Sequence, residues 1–122
     1  MSTTTILVAD DQADLRRIVR ILLTRGTGWE VIEAVDGDDA VEVAAASEID
    51  AAVLDHRMPG RTGIEVAQVL RADGFTGPIV IFSAYLEPDL LAEAERLDIR
   101  SVPKGEIAML NDVLRAALAD GA

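Results

Sequence analysis

Short apolar segments alternate with longer amphipathic segments along the whole chain. The first apolar segment, Thr5–Ala9, predicts a buried strand. It is followed by apolar residues at the spacing of one helix face, namely Leu15, Ile18, Val19, Leu22 and Leu23. Gly26 and Gly28 predict the end of this helix. The chain therefore starts with a strand followed by a helix.

The same pairing of strand and helix is predicted along the rest of the chain. Further strands are predicted at Trp29–Ala34, Ala51–Leu54, Ile79–Phe82 and Ile99–Val102. Helices are predicted from about Asp38 to Ala46, after an N-cap at Thr62 with Ile64, Ala67 and Leu70 inward, after Pro88 with Leu90, Leu91, Ala94 and Leu97 inward, and from Ile107 to Leu118. Strict alternation with short connections predicts an α/β fold, a doubly wound parallel sheet with helices on both faces. The 122 residues suffice for a single domain, residues 1–122.

Charge and composition exclude several classes of function. The chain has 11 Lys and Arg against 22 Asp and Glu, and the net charge of −11 repels the phosphates of nucleic acids and anionic membranes. We therefore expect no direct binding of nucleic acid and no membrane contact. The absence of cysteine and the single histidine, His56, exclude thiolate catalysis, Cys-ligated zinc and most histidine sites. The sequence has no signal peptide and no membrane-spanning segment, so we expect a cytoplasmic location.

Polar residues follow four of the predicted strands. Because parallel strands all end at the same edge of a sheet, these residues are expected to converge where doubly wound folds bind ligands. They are Asp10 and Asp11 after the first strand, Asp55 after the third, Ser83 after the fourth and Lys104 after the fifth. Lys104 is the only lysine in a chain with ten arginines, which favours a specific role for a compact ammonium group.

Three carboxylates at one edge repel each other unless cations are present. Lys104 supplies one positive charge, and a hard divalent cation such as Mg²⁺ would offset the remaining negative charge. With no cysteine and no paired histidine, the available nucleophile is a carboxylate. Asp55 is the best placed, because it follows the central third strand.

At these residues the sequence resembles the receiver domain of two-component response regulators. The resemblance covers the chain from Ile6 to about Leu118, and the matching segments are Leu7–Asp11, Leu54–Gly60, Ile81–Ala84 and Pro103–Lys104. It implies a flavodoxin-like sheet with strand order 2-1-3-4-5. It also implies a signalling domain that accepts a phosphoryl group and is not an enzyme, apart from slow loss of its own phosphoryl group.

The resemblance assigns roles to individual residues. Asp55 would accept the phosphoryl group from a sensor histidine kinase or phosphotransfer protein, Lys104 would pair with a phosphoryl oxygen, and Ser83 would hydrogen-bond the phosphate. Mg²⁺ would be held by Asp11 and Asp55 directly, by Asp10 through water and by the backbone carbonyl of Arg57. The phosphorylated state would bind a downstream protein through the surface of the fourth helix, fifth strand and fifth helix.

Two features depart from the family pattern. Receivers often have an aromatic switch residue three positions before the lysine, and here that position is Ser101. A cis-proline commonly follows the lysine, whereas here Gly105 follows and Pro103 precedes it, so the Lys104–Gly105 bond need not be cis. The signal is then expected to leave through the Ser83 loop and Tyr85.

Each residue also has a simpler interpretation. Asp10 and Asp11 could cap the helix that follows them, Asp55 could end a strand, Ser83 could bond the backbone, and Lys104 could be solvated. His56 is expected to be a partly exposed loop residue. Arg57 and Tyr85, two positions after Asp55 and Ser83, are expected either to tune the lifetime of the phosphoryl group or to be ordinary surface side chains.

Two other functions fit parts of the pattern. A Mg²⁺-dependent phosphatase of the haloacid dehalogenase type also uses an aspartate nucleophile, but it requires a second aspartate where this chain has Arg57. A flavodoxin-like cofactor binder would need a phosphate loop after the first strand, which is missing here. The sequence does not name the kinase, the output, the phosphoryl lifetime or the oligomeric state. It also does not separate a stand-alone regulator from part of a longer protein.

Overall fold

A computed structural model describes residues 3–120, without the side chain of Asp120. Five strands and five α-helices alternate in the order β1 Thr5–Ala9, α1 Ala13–Thr24, β2 Glu30–Ala34, α2 Gly37–Ala46, β3 Ala51–Leu54, α3 Gly63–Ala72, β4 Ile79–Ser83, α4 Pro88–Arg96, β5 Arg100–Pro103 and α5 Ala108–Asp120. A short 3-10 helix, Lys104–Glu106, follows β5. The predicted order of elements is confirmed.

The strands form one parallel sheet in the order β2-β1-β3-β4-β5. This is the predicted doubly wound, flavodoxin-like topology. The three central strands are buried on both faces, since every residue of β3 and β4 and all but the first of β1 are buried. That burial explains why these strands are continuously apolar and do not alternate.

Helices cover both faces of the sheet. On one face α1 and α5 pack through Val19, Leu23, Leu110 and Leu114, together with Ile6, Val8, Val53, Val80 and Phe82 of the strands. On the other face α2, α3 and α4 contribute Ala40, Ile64, Ala67, Leu70, Leu90 and Ala94 to the second core. Within residues 3–120, no helix is both long and apolar enough to cross a membrane.

Capping residues mark the starts of α2, α3 and α4. Thr62 forms a capping box with Glu65 before α3, and the Asp36 side chain accepts the Asp39 N–H at 2.8 Å before α2. Pro88 occupies the first turn of α4. The three helices pack on the same face of the sheet.

For two residues the prediction of a place in the core is wrong. Ile18 of α1 is 52% exposed and Leu91 of α4 is 41% exposed. Adjacent positions on a helix point about 100° apart, so burial of Val19 and Leu90 turns their neighbours toward solvent. Several bounds also differ: β2 begins after Trp29, β4 includes Ser83, β5 lies one residue later than predicted, and α2 begins at Gly37.

Candidate functional site

The carboxyl edge of the sheet collects the polar residues that follow its strands. Asp10 and Asp11 come directly after β1, Asp55 directly after β3, and Lys104 opens the 3-10 helix after β5. Asp55 continues the ladder, because its N–H donates to the Ala9 carbonyl at 2.9 Å. The edge is therefore fixed by the pairing of β1 and β3.

Three carboxylates and one ammonium group meet at this edge. Oxygen atoms of Asp10, Asp11 and Asp55 all lie within 4.8 Å of one another. Lys104 Nζ lies 3.0 Å from Asp10 Oδ2 and 3.3 Å from Asp55 Oδ2. The lysine is only 17% exposed, so its interpretation as a solvated side chain is wrong.

The polar residues at this edge are unusually buried. Within residues 3–120 the buried polar residues are Asp10, Asp55 and Ser83, at 3%, 6% and 2% exposure, and all three belong to this edge. Buried carboxylates are costly unless they are paired, and one lysine cannot neutralise two buried carboxylates and the exposed Asp11. The edge therefore carries an excess of negative charge.

Burial and the neighbouring charges together shift the pKa of Asp55. Burial raises the pKa of Asp55, the neighbouring Asp10 carboxylate raises it further, and Lys104 only partly opposes both effects. The carboxylate form of Asp55 is thus destabilised in the folded protein relative to the unfolded chain. A group that offsets this charge stabilises the site.

The raised pKa of Asp55 predicts a pH-dependent stability difference. Without metal, the charge on Asp55 opposes folding above its folded-state pKa, and this effect disappears as the pH falls through that pKa toward 3.8. At neutral pH we expect Asp55→Asn to be more stable than the wild type by roughly 0.5–2 kcal/mol, the usual range for one stabilising change. Urea unfolding in a chelator at several pH values measures the difference. It should shrink in acid, and a constant difference would contradict the prediction.

Asp10 is not the N-cap of α1, which was the simpler interpretation of this residue. The N-cap of α1 is Gln12, which forms no side-chain cap hydrogen bond. Asp10 Oδ1 instead accepts the Gln12 N–H at 2.9 Å, which leaves Oδ2 for Lys104. The interpretation of Asp10 as only a helix cap is therefore wrong.

Sequence reasoning missed a glycine that shapes the site. A Cβ atom on Gly63 would lie 2.4 Å from the Asp55 carbonyl oxygen, so only glycine lets α3 begin this close to the acceptor strand. The Gly63 N–H also donates to the His56 carbonyl at 2.9 Å. The available signal was the position of Gly63 directly after the cap Thr62.

Ser83 ends β4 at this edge, and Arg57 and Tyr85 lie in the loops that follow β3 and β4. The Ser83 hydroxyl oxygen accepts the Tyr85 N–H at 3.4 Å, which matches its simpler interpretation and leaves its own hydroxyl hydrogen available. The Arg57 guanidinium lies 4.9 Å from the centre of the Tyr85 ring and 3.3 Å from Glu87 Oε1. Tyr85 is 62% exposed. The pairing of Arg57 with Glu87 was not predicted, because nothing local links the two positions.

The residues at the edge suit a magnesium ion. Mg²⁺ prefers carboxylate, carbonyl and water oxygens, and three carboxylates converge here. Within residues 3–120, no backbone N–H bonds the Arg57 carbonyl oxygen, so it is available as a further ligand. The donor set and the excess negative charge both fit the ion.

The structure describes both positions at which the sequence departs from the receiver pattern, Ser101 and the Lys104–Gly105 bond. Ser101 is half-buried in β5 and carries no aromatic ring. Residues 3–120 contain no cis peptide bond, so the Lys104–Gly105 bond is trans. His56, as predicted, is a half-buried loop residue, and burial lowers its pKa.

A separate cleft of about 680 Å³ opens at the opposite edge of the sheet. Its floor holds Arg71, which donates to the carbonyl oxygens of Phe75, Gly77, Leu97 and Asp98. These bonds tie the loop after α3 to the end of α4. The arginine is thus committed to backbone carbonyls, and we assign the cleft no chemistry.

The family model of the response regulator receiver domain matches residues 6–103. The chain belongs to this family. The match includes Asp10, Asp11, Asp55 and Ser83 and ends one residue before Lys104. The chain is therefore a receiver domain of a two-component system.

Known proteins resemble this receiver domain in sequence and in fold. It is 39% identical over 79 residues to the nitrate/nitrite response regulator protein NarP of Escherichia coli, covering 64% of this chain and 37% of NarP. It is 37% identical over 90 residues to the transcriptional regulatory protein PdtaR of Mycobacterium tuberculosis, covering 73% of this chain and 43% of PdtaR. The chain thus spans less than half the length of these relatives.

One solved structure is similar over nearly the whole chain. The two-component response regulator of the LuxR family from Aurantimonas matches with a TM-score of 0.88 and 29% identity, over 98% of this chain and 87% of that protein. The similarity supports the sheet order and the arrangement of the five helices.

Proposed function

We propose that residues 1–122 form a single receiver domain that accepts a phosphoryl group on Asp55 from a sensor histidine kinase or a phosphotransfer protein. The observation that carries the proposal is the buried pair of Asp10 and Asp55, held by Lys104 at the sheet edge. Family membership supplies the reaction class.

Each polar group has a proposed part in the transfer. An Asp55 carboxylate oxygen attacks the phosphorus and the donor nitrogen leaves. Lys104 moves from the carboxylates to a phosphoryl oxygen, and the Ser83 hydroxyl donates to another. Catalysis then consists of positioning and charge stabilisation, as phosphoryl transfer requires.

We propose that the site holds Mg²⁺. Asp11 and Asp55 would bind the ion directly, Asp10 through a water molecule, and Arg57 through its backbone carbonyl. When bound, the ion supplies the positive charge that Lys104 alone does not. The convergence of three carboxylates supports this proposal.

A phosphatase of the haloacid dehalogenase type is not favoured. Arg57 stands where that family requires a second aspartate, and the family match is to receivers. We propose a domain without turnover of external phosphomonoesters, which loses its own phosphoryl group slowly.

The output is proposed to be a protein contact through α4, β5 and α5. The net charge of −11 disfavours direct binding of nucleic acid by residues 1–122. Some relatives are described as DNA-binding response regulators, but the matched part is 34% of their length. We propose a cytoplasmic location for this domain.

The experiment that tests the proposal is labelling with acetyl phosphate. The wild-type protein with Mg²⁺ should gain one acid-stable, base-labile phosphoryl group, measured by intact mass. Omitting Mg²⁺ should prevent the gain. Failure to label with Mg²⁺ present would overturn the proposed function.

Arg57 is expected to lengthen the lifetime of the phosphoryl group. Its guanidinium lies over the Tyr85 ring and pairs with Glu87, and we propose that in the phosphorylated state this side chain slows the attack of water on the phosphoryl group. We expect Arg57→Ala to shorten the lifetime about threefold to tenfold. The Arg57–Glu87 pair is exposed, so stability should change by less than about 0.5 kcal/mol.

The matched control for Arg57 is Arg61→Ala. Arg61 lies in the same loop but pairs with Asp38 at 2.9 Å. Loss of label over time, followed after removal of acetyl phosphate, compares the variants. Equal lifetimes for Arg57→Ala and the wild type would contradict a role in protecting the phosphoryl group.

A further inference from the structure

A network of two arginines and one glutamate lies behind the acidic edge. Arg16 Nε donates to Glu33 Oε1 at 3.0 Å, and Arg20 Nε donates to Glu33 Oε2 at 2.8 Å. Arg16 also uses a second nitrogen, because its Nη1 donates to the Asp10 backbone carbonyl at 2.7 Å. Of the two arginines, Arg16 is therefore the one that bonds a residue of the site within residues 3–120.

The reach of Arg16 follows from helix geometry. Side chains on a helix lean toward its N-terminus, so Arg16 in the first turns of α1 covers the segment before the helix. That segment contains Asp10 and Asp11. The guanidinium fork, with donors in fixed directions, can hold a carboxylate and a carbonyl at once.

Glu33 holds Arg16 in this orientation. It lies on β2, where it pairs with Val8 of β1. Burial raises the pKa of Glu33, but the hydrogen bonds from Arg20 and Arg16 outweigh burial and hold the pKa below its ordinary value. The Arg16 side chain is only 13% exposed, so the contact is well shielded from water.

Hydrogen bonds hold both peptides that flank Asp10, and Arg16 bonds the second of them, which joins Asp10 to Asp11. The Asp10 N–H donates to the Ala34 carbonyl at 3.2 Å, and the Asp10 carbonyl accepts from Arg16. The plane of the peptide between Asp10 and Asp11 is therefore set by Arg16. The direction in which the exposed Asp11 side chain leaves the backbone depends on this plane.

We propose that Arg16 is a positioning residue for the Mg²⁺ site, acting through the Asp10–Asp11 peptide. The inference rests on the proposed function, since it assumes that Asp11 binds Mg²⁺. Arg16 itself touches neither the ion nor the phosphoryl group. Its effect is to hold Asp11 in the orientation that binds.

The direction in which the Mg²⁺ affinity changes when Arg16 is removed distinguishes a positioning role from a purely electrostatic one. Removing a positive charge near a cation site strengthens cation binding if charge alone acts. Removing an anchor of a ligand weakens binding, typically by tenfold or more for residues that orient ligands. The two explanations therefore predict opposite changes in the Mg²⁺ dissociation constant.

Arg20 provides a matched control. It is on the same helix, bonds the same glutamate and carries the same charge, but forms no bond with Asp10 within residues 3–120. We expect Arg16→Met to raise the Mg²⁺ dissociation constant about tenfold. We expect Arg20→Met to change it by less than about twofold, because that side chain is 43% exposed and its charge is screened.

Two measurements test the proposal. Isothermal titration calorimetry with MgCl₂ gives the dissociation constants, and nitrogen-15 NMR of the metal-free protein follows the Asp11 amide. Arg16→Met should shift this amide resonance, because its peptide loses the bond from Arg16, whereas Arg20→Met should not. Equal dissociation constants for the two variants, or tighter binding by Arg16→Met, would overturn the proposal.

Arg16→Lys guards against loss of folding. It keeps the charge but cannot hold both Glu33 and the carbonyl with a fork, so an intermediate loss of Mg²⁺ affinity is expected. Full wild-type affinity in Arg16→Lys would overturn the proposal.

Asp11→Asn separates the two levels of inference. If the wild type binds Mg²⁺ no better than Asp11→Asn, the proposed metal site itself fails and this inference fails with it. If Asp11→Asn alone loses binding, only the role of Arg16 fails.

Discussion

Asp55→Asn is expected to take up no phosphoryl group from acetyl phosphate and Mg²⁺. An amide is not a nucleophile at neutral pH, and the variant also loses one proposed ligand of the ion. Neither neighbouring carboxylate is expected to replace it, because Asp10 is buried and paired with Lys104 and Asp11 is proposed to hold the ion. We expect the labelling rate to fall at least about 100-fold.

Intact mass measured over time tests this expectation. Asp14→Asn is the matched control, because Asp14 is an exposed acid in the first turn of α1 and lies outside the cluster. It should label at the wild-type rate. Labelling of Asp55→Asn at that rate would show that another residue accepts the phosphoryl group. Urea unfolding of the variant confirms that loss of label is not loss of fold.

Lys104→Met is expected to have the second largest effect. The ammonium group lies between Asp10 Oδ2 and Asp55 Oδ2, and its removal leaves two buried carboxylates without their shared cation. Loss of one preorganised charge at a developing negative charge typically costs about 10² to 10³ in rate. We expect a decrease of that size in the rate of phosphoryl uptake.

The same substitution is expected to destabilise the metal-free protein. Removing one partner of a buried ion pair costs about 3–5 kcal/mol, and partial exposure of Lys104 reduces this to roughly 1–3 kcal/mol. Urea unfolding in a chelator measures the change at neutral pH. The loss should shrink in acid, where protonation of Asp55 removes one of the unpaired charges.

Lys104→Arg separates charge from shape. It retains the positive charge but replaces a compact ammonium group by a planar fork. We expect stability near that of the wild type and slower phosphoryl uptake. Wild-type uptake by Lys104→Met would contradict the role of the ammonium group in the transfer.

The raised pKa of Asp55 and the hydrogen bonds of Arg16 both concern how the site holds its negative charge. The site concentrates negative charge that is unfavourable in the metal-free protein and useful for binding a cation. The carboxylates that carry this charge repel each other, so neighbouring residues must hold them in position. Lys104, directly after β5, holds the Asp10 and Asp55 carboxylates, and Arg16 of α1 holds the Asp10 backbone carbonyl.

Much of the fold was predictable because its signals are local. The bounds of β1 and β3 were predicted as observed, since each is an unbroken apolar run ended by aspartate. The starts of α3 and α4 followed from Thr62 and Pro88. The errors at Ile18 and Leu91 arose because a stripe of apolar residues does not say where its edge meets solvent.

The contacts of Gly63 and Arg57 could not be predicted from the sequence. The need for glycine at residue 63 arises from the approach of the Asp55 carbonyl, eight residues earlier in the chain. The partner of Arg57 is Glu87, thirty residues away. The position of Gly63 after the cap Thr62 does not reveal the approach of the Asp55 carbonyl, and the contact of Arg57 with Glu87 leaves no local signal in the sequence.

The sequence by itself determined the parallel sheet and the edge at which the acidic residues and Lys104 collect, because strand direction and strand ends are properties of short segments. Only the tertiary structure decided which atoms meet there. Lys104 bridging two carboxylates, Arg16 gripping the Asp10 carbonyl and the raised pKa of Asp55 all depend on burial and on side-chain directions. These are set by packing between elements distant in sequence, which no local pattern encodes.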